Sequence, residues 1–296
     1  NMLTLPENVQ FIESSAFYGC TNLISITVSD KITEFSSQIF AYCCSLNSIT
    51  FSESLEKIGE KAFYYCCSLE SINIPKSVVY IGESAFVNCF QLSSFIVDEN
   101  NQFYSTIDGN ILSSKSKDLL YNYPPNKLIE SYEIPDYITG LAKYCFSYCI
   151  NIKYLTVPSS ISQISAYSFQ HCHKLESITF LGSHTFESHC FDYCYDLISI
   201  VYYGTTTVYN SKIFISEYNK MSIYVPSNFA DNKFCDYDEV VKTNDLSCRS
   251  IHHKCIECNN NLCDKCEEGW KIESGKCIQN CELVTENCNK CTSKNE

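Results

Sequence analysis

The chain has 296 residues, a formal net charge of −13, 45% hydrophobic and 19% charged residues, and a single arginine, Arg249. That apolar content excludes an intrinsically disordered chain, and the acidic balance leaves nucleic acid no cationic stripe to neutralise its phosphates. No run of about 18 apolar residues reads as a membrane span, and no phosphate-binding glycine loop or hydrolase or kinase signature occurs, so the sequence predicts neither an enzyme nor a cofactor.

The first predicted element is a repeat. Phe17, Phe40, Phe63 and Phe86 follow one another at a step of 23 residues, and Cys20, Cys43, Cys66 and Cys89 keep the same step, as do Leu23, Leu46, Leu69 and Leu92. One unit, residues 55–77, shows the whole pattern. Ile72 and Ile74, two apart, read as a short strand with one buried face. Residues 62–69, with apolar positions three apart, read as a helical or 3₁₀-like return, and Pro75 marks the strand exit. A strand this short cannot bury its apolar side alone, so successive coils must stack. The expected fold is an α/β solenoid: a leucine-rich-repeat array of 23-residue units with a parallel β-ladder.

Residues 98–136 interrupt the period. Asp108-Gly109 is a two-residue hairpin signal, and Pro124-Pro125 precedes the next strand near residues 132–134, so this stretch reads as one enlarged coil within a continuous stack. The register returns at Phe146, Cys149 and Ile152, again at Phe169, Cys172 and Leu175, and one residue early at Phe191, Cys194 and Leu197. Residues 198–202, 212–215 and 221–225 read as the last strands. The organisation expected is a solenoid over residues 1–230, a linker over 231–247 and a cysteine-rich module over 248–296. Asn1-Met2 falls inside a repeat and the chain stops soon after Cys291, so both ends read as cut from something longer.

Outward strand positions alternate with buried ones. In order they are Ser25 and Thr27, Ser48 and Thr50, Ser71 and Asn73, Ser94 and Ile96, Tyr154 and Thr156, Ser177 and Thr179, and Ser199 and Val201. Two readings stay open. The row is a shallow face for a large partner such as a protein or glycan, or it is a set of small β-formers that suit a curved ladder. Tyrosines on the return side, including Tyr64, Tyr65, Tyr144, Tyr148, Tyr193 and Tyr195, offer a rival contact surface.

The 21 cysteines fall into two classes. Those that recur once per coil (Cys20, Cys43, Cys66, Cys89, Cys149, Cys172 and Cys194) read as buried structural thiols, while Cys44, Cys67, Cys145 and Cys190 are additional, and the sequence leaves open which few of them pair between adjacent coils. In the tail, Cys248, Cys255, Cys258, Cys263, Cys266, Cys277, Cys281, Cys288 and Cys291 leave no room for an apolar core, so cross-links must hold it: disulfides in an oxidising compartment, or zinc on paired C-x2-C units. His171 and His173 flank a buried ladder cysteine, and they read as pointing away from it rather than as metal or nucleophile chemistry.

The unit I-G-x2-A-F-x2-C-x2-L-x-S-I-x-I-P, from Ile58 to Pro75 and again around 81–92 and 161–180, resembles the BspA-type leucine-rich repeats, and especially the expanded surface-antigen family of Trichomonas. The tail resembles furin-like and protist variant-surface-protein cysteine modules. The resemblance implies a non-catalytic cell-surface protein, often anchored by a membrane segment beyond the C-terminal end, that adheres to a protein or glycan on another cell or in matrix. The alternative is an intracellular repeat scaffold with a reduced or zinc-bound tail.

Overall fold

A computed structural model describes residues 1–206, 208–209, 212–214, 221–235, 237, 240–244 and 246, together with the backbone of four short strands between residues 255 and 279. We number the coils by their repeated aromatic: Phe17, Phe40, Phe63 and Phe86 mark coils 1–4, and Phe146, Phe169 and Phe191 mark coils 5–7.

Each coil has three sides. The first is the expected strand, such as Ser71–Ile74, whose Ile72 and Ile74 are buried while Ser71 and Asn73 face out. The strands of successive coils pair in parallel and in register, with Ser25 opposite Ser48, Ser71 opposite Ser94, and Tyr154 opposite Ser177. A second, shorter parallel ladder runs through Glu34–Phe35, Lys57–Ile58 and Tyr80–Ile81. The third side is the return.

The return corrects the expected fold class. No helix forms in any described repeat, and the molecule is a β-solenoid rather than an α/β one. A helix would send every N–H back four residues along its own chain. Here the N–H groups alternate between two destinations. Tyr64 donates to Lys61 and Cys66 to Phe63 inside the coil, whereas Lys61, Phe63 and Tyr65 donate across to Glu83, Ala85 and Val87 of the next coil. Lys61 and Tyr65 take positive φ angles of 55° and 60° to turn their amides outward, and the equivalent residues of other coils do the same. A left-handed residue costs about 1–2 kcal/mol, and the crossing hydrogen bonds offset it. Apolar spacing of three fits this run of turns as well as it fits a 3₁₀ helix, which is why periodicity misassigned it.

The repeated aromatics form the interior. Phe17, Phe40, Phe63 and Phe86 stack with ring centroids 5.4, 5.4 and 5.6 Å apart. Beyond the insert, Tyr123, Phe146, Phe169 and Phe191 continue at 5.0, 5.8 and 5.3 Å. The ladder cysteines Cys43, Cys66, Cys89, Cys149, Cys172 and Cys194 are buried, but Cys20 in the first coil is exposed, because no coil lies against its outer side. Each buried thiol points back at the aromatic carbonyl of the preceding coil: Cys43 Sγ is 3.0 Å from the Phe17 oxygen, and Cys66 Sγ is 3.2 Å from that of Phe40. Cysteine suits the position because it is small and apolar yet gives a buried carbonyl a second, weak donor.

The insert is a hairpin and a return strand. Tyr104–Ile107 and Ile111–Ser114 pair antiparallel around Asp108 (φ 49°) and Gly109 (φ 80°), the two left-handed residues that a type I′ turn needs. Leu119–Asn122 then pairs antiparallel with the hairpin and in parallel with Gly140–Leu141 of coil 5. The hairpin divides the core. Tyr104 and Leu112 pack with the N-terminal coils, whereas Ile107 and Ile111 pack with the C-terminal ones. Two hydrogen-bonded side chains fix this partition. Buried Asn101 donates to the Pro75 and Val78 carbonyls and accepts from the Phe103 and Tyr104 N–H groups. Tyr132 donates its hydroxyl to Asp108 at 2.8 Å.

Candidate binding surfaces

The outward strand positions do not make one uniform face. In coils 1–4 they are open: Thr27, Ser48, Thr50, Ser71, Asn73 and Ile96 are exposed, and Ser25 and Ser94 are half-exposed. Tyr154, Thr156 and Ser177 in the middle are half-buried, with the Tyr154 hydroxyl donating to Glu176 at 2.9 Å. Burial, and then this carboxylate, push the Tyr154 phenol well above its usual range. At the far end Thr179, Ser199 and Val201 are buried. There Val240–Thr243 adds in parallel to Ser222–Pro226, and Leu246 comes back over the face to pack on Val201 and Tyr224. The single apolar outward residue of that coil, Val201, carried the only sequence sign of a lid.

Within the open part, Thr50, Asn73 and Ile96 line a shallow cleft of about 310 Å³ with Phe51, and Glu53 and Asp98 also line it. Hydroxyl, amide, apolar and acidic groups thus converge from three consecutive coils. Spacing along the sequence gave the strand residues, but Glu53 and Asp98 sit just past the strand ends, where alternation says nothing.

The return side presents a second surface, an aromatic flank. Tyr42 stacks on Tyr65 (5.1 Å, 10°), Tyr65 meets Phe90, and Phe90 meets Tyr148. Tyr148, His171 and Tyr193 then stack at 4.2 and 4.4 Å. Burial between these rings holds the His171 imidazole down to about 4. Cys172 turns inward to the Phe146 carbonyl at 3.0 Å, so the two flanking histidines face the other way. Among the described residues no three His, Cys, Asp or Glu side chains are placed to hold a metal.

The tail candidates stand apart. Cys248, Cys281, Cys288 and Cys291 lie outside the described residues. Cys255, Cys258, Cys263, Cys266 and Cys277 are described as backbone only, with Cys255 opposite Cys266 and Cys258 opposite Cys263 in an antiparallel pair.

Six copies of the BspA type leucine rich repeat region match residues 1–115 and 122–238, most of the chain. The protein belongs to the BspA-type leucine-rich-repeat family. Members are structural or adhesive rather than catalytic, and this BspA-type chain is not an enzyme. Solved structures with the same fold include a leucine-rich repeat protein of Eubacterium ventriosum (22% identity, TM-score 0.59, 76% of this chain and 72% of that one). A leucine rich cell surface protein of Faecalibacterium prausnitzii (23%, 0.54, 83% and 80%) and the pneumococcal vaccine antigen PcpA (18%, 0.53, 82% and 89%) are similar too. No curated protein sequence matches the chain significantly. The match stops before the tail, and none of these comparisons supports the furin-like or variant-surface likeness there.

Proposed function

We propose that this BspA-type protein is a cell-surface adhesion or ligand-binding protein that engages a protein or glycan of another cell or of matrix through the open, N-terminal part of its strand face. One observation carries the reading: Thr50, Asn73 and Ile96 converge with Glu53 and Asp98 in the cleft, whereas at the other end of the same face the outward residues are buried and Leu246 packs on Val201 and Tyr224. A row of side chains that merely suited the ladder has no reason to be open over four coils and covered over the last. The acidic lining, in a chain of net charge −13, favours a contact rich in cations or hydroxyls. The Faecalibacterium relative of the same fold is a cell-surface protein and PcpA is a vaccine antigen, which supports a surface location. The cysteine-rich tail, cross-linked by disulfides, would then serve as the spacer between this face and the producing cell.

The test is adhesion of the full-length chain to cultured epithelial cells and to immobilised matrix proteins and glycans. Asn73→Arg and Ile96→Glu are expected to cut binding by about tenfold or more, the size of a contact at the centre of an interface. Tyr195→Ser on the opposite flank should leave it unchanged. Full binding by both cleft variants overturns the assignment of the face.

A further inference from the structure

The insert leaves one rung of the return ladder unfinished. In coils 1–3 three alternate N–H groups of every return donate to the next coil: Gln38, Phe40 and Tyr42 to Glu60, Ala62 and Tyr64, then Lys61, Phe63 and Tyr65 to Glu83, Ala85 and Val87. Coil 4 repeats the geometry. Ser84 and Asn88 take the same positive φ angles, 59° and 65°, and Val87 and Cys89 close the same turns inside the coil. The three outward amides of coil 4 are those of Ser84, Phe86 and Asn88. Among the described residues nothing accepts from any of them.

Their missing acceptors are a consequence of the topology. The chain that should stack on coil 4 is drawn off into the hairpin and returns as Leu119–Asn122, which pairs with coil 5 instead: Leu120 accepts from Ala142, and Tyr123 donates to Cys145. On the coil 5 side the carbonyls of Lys143 and Ser147, equivalent to those of Glu60 and Tyr64, receive no N–H. A cleft of about 250 Å³ separates the two walls. Residues 81–87 form one wall, Tyr121, Asn122, Ala142 and Lys143 the other, and Leu112 the floor. The carbonyl oxygen of the Asn122 side chain is buried here without a donor, and that of Asn88 is in the same condition on the coil 4 edge. Lys143 and Glu83 meet at 3.2 Å across the two walls, an exposed ion pair of the kind that contributes little and opens readily.

We propose that this cleft is a strand-addition site for an extended peptide segment of a partner protein, independent of the strand face. Parallel, unpaired main-chain donors facing unpaired carbonyls, here Lys143 and Ser147 on either side of the occupied Cys145, are the kind of arrangement that β-augmentation uses. The peptide carbonyls take the Ser84 and Phe86 amides on one wall of the cleft, and a peptide N–H meets the Lys143 carbonyl on the other. One small or medium aliphatic side chain points onto Leu112, Phe86 and Ala142. The cleft is smaller than sites that enclose drug-sized ligands, and it lacks the convergent charges that would recognise a free anion, since Glu83 neutralises Lys143. Main-chain recognition is what its walls supply.

The experiment pans the full-length chain against a displayed library of short linear peptides and reads amide hydrogen exchange with the best synthetic peptide bound. Exchange at Ser84 and Phe86 should slow by about tenfold or more, while Phe63, already bonded to Ala85, should not change. Ala142→Trp, which fills the cleft, should abolish binding. Should that variant misfold, N-methylation of alternate peptide residues must abolish binding to the natural chain instead. The proposal is overturned if enriched peptides bind without slowing those two amides, if no peptide is enriched, or if the two amides are already as protected as Phe63 in the free chain, which would mean that the chain's own residues cap them.

Discussion

Phe90 and Tyr148 lie 4.8 Å apart, ring centroid to ring centroid, although the whole insert separates them in sequence. Beyond the cleft between coils 4 and 5 these rings bridge the interruption, and the aromatic flank runs from coil 2 to coil 7 while the core beneath it is divided. Tyrosine or histidine holds the second left-handed position of the return in coils 2, 3, 5, 6 and 7, at Tyr42, Tyr65, Tyr148, His171 and Tyr193. Planar rings there stack on the ring of the neighbouring coil.

The one imidazole in that row makes the fold sensitive to acid. His171 stays neutral down to about 4 because it is buried between Tyr148 and Tyr193, with His173 beside it. In the unfolded chain the imidazole takes up a proton near pH 6.5. Between these values the unfolded state binds more protons, so the stability linked to His171 is complete above about pH 6.5 and is lost as the pH falls towards 4. Denaturant titrations at pH 7 and pH 4.5 should show a larger loss for the natural chain than for His171→Tyr, which installs the ring found in the neighbouring coils. Equal losses would remove His171 from the account.

Glycine at the start of the return is set by backbone contact. A Cβ on Gly82 would lie 2.4 Å from the Glu60 nitrogen, and one on Gly59 would lie 2.7 Å from the Phe35 carbonyl oxygen. Neither obstacle can rotate away. Gly82→Ala is expected to cost about 1–3 kcal/mol. Gly140→Ala meets only the Leu119 Cδ1 at 3.0 Å and should cost much less. Comparison of the two midpoints in urea decides it.

The sequence made much of this legible, because the interior repeats itself. Phe63, Cys66, Leu69 and Ile72 are all fully buried, as their period requires, and Asp108-Gly109 turns the hairpin it signals. The return is not legible in the same way, because a spacing of three records which side chains point inward and not where the N–H of Phe63 goes. Cover over the far end of the strand face is hidden from the pattern for a related reason. Leu246 reaches Val201 from a polar stretch outside the period, and periodicity carries no information about what lies beyond it.

The hairpin partition predicts a local pattern of damage. Ile111 and Leu112 are adjacent in sequence and fully buried, but they serve opposite cores. Truncation of either to alanine should cost about 2–5 kcal/mol in total. In a stacked array the loss spreads to near neighbours first, so Leu112→Ala should speed amide exchange most in coils 3 and 4, and Ile111→Ala most in coils 5 and 6. Indistinguishable exchange maps would show that the two cores unfold as one.

Cys44 and Cys67, at equivalent places in coils 2 and 3, have sulfur atoms 3.5 Å apart and are both half-buried free thiols. They are the additional cysteines for which a bond between coils is close to hand. The ladder thiols beside them are sealed: Cys43 is pushed up to about 12 by burial, and Cys66 also lies well above its usual range. Burial and the neighbouring Cys44 sulfur raise Cys67 to about 11, so little thiolate exists at pH 7. Mild oxidation should link Cys44 to Cys67 slowly at pH 7 and faster at pH 9, and should leave Cys43 and Cys66 free until the chain is denatured. Closing a loop of this length stabilises a fold by about 3 kcal/mol in the chain-entropy account, so the oxidised protein should melt higher than Cys44→Ser treated in the same way. Non-reducing peptide mapping gives the answer directly: a Cys43 or Cys66 cross-link in the folded protein, or no Cys44–Cys67 product at either pH, would contradict the geometry of these two coils.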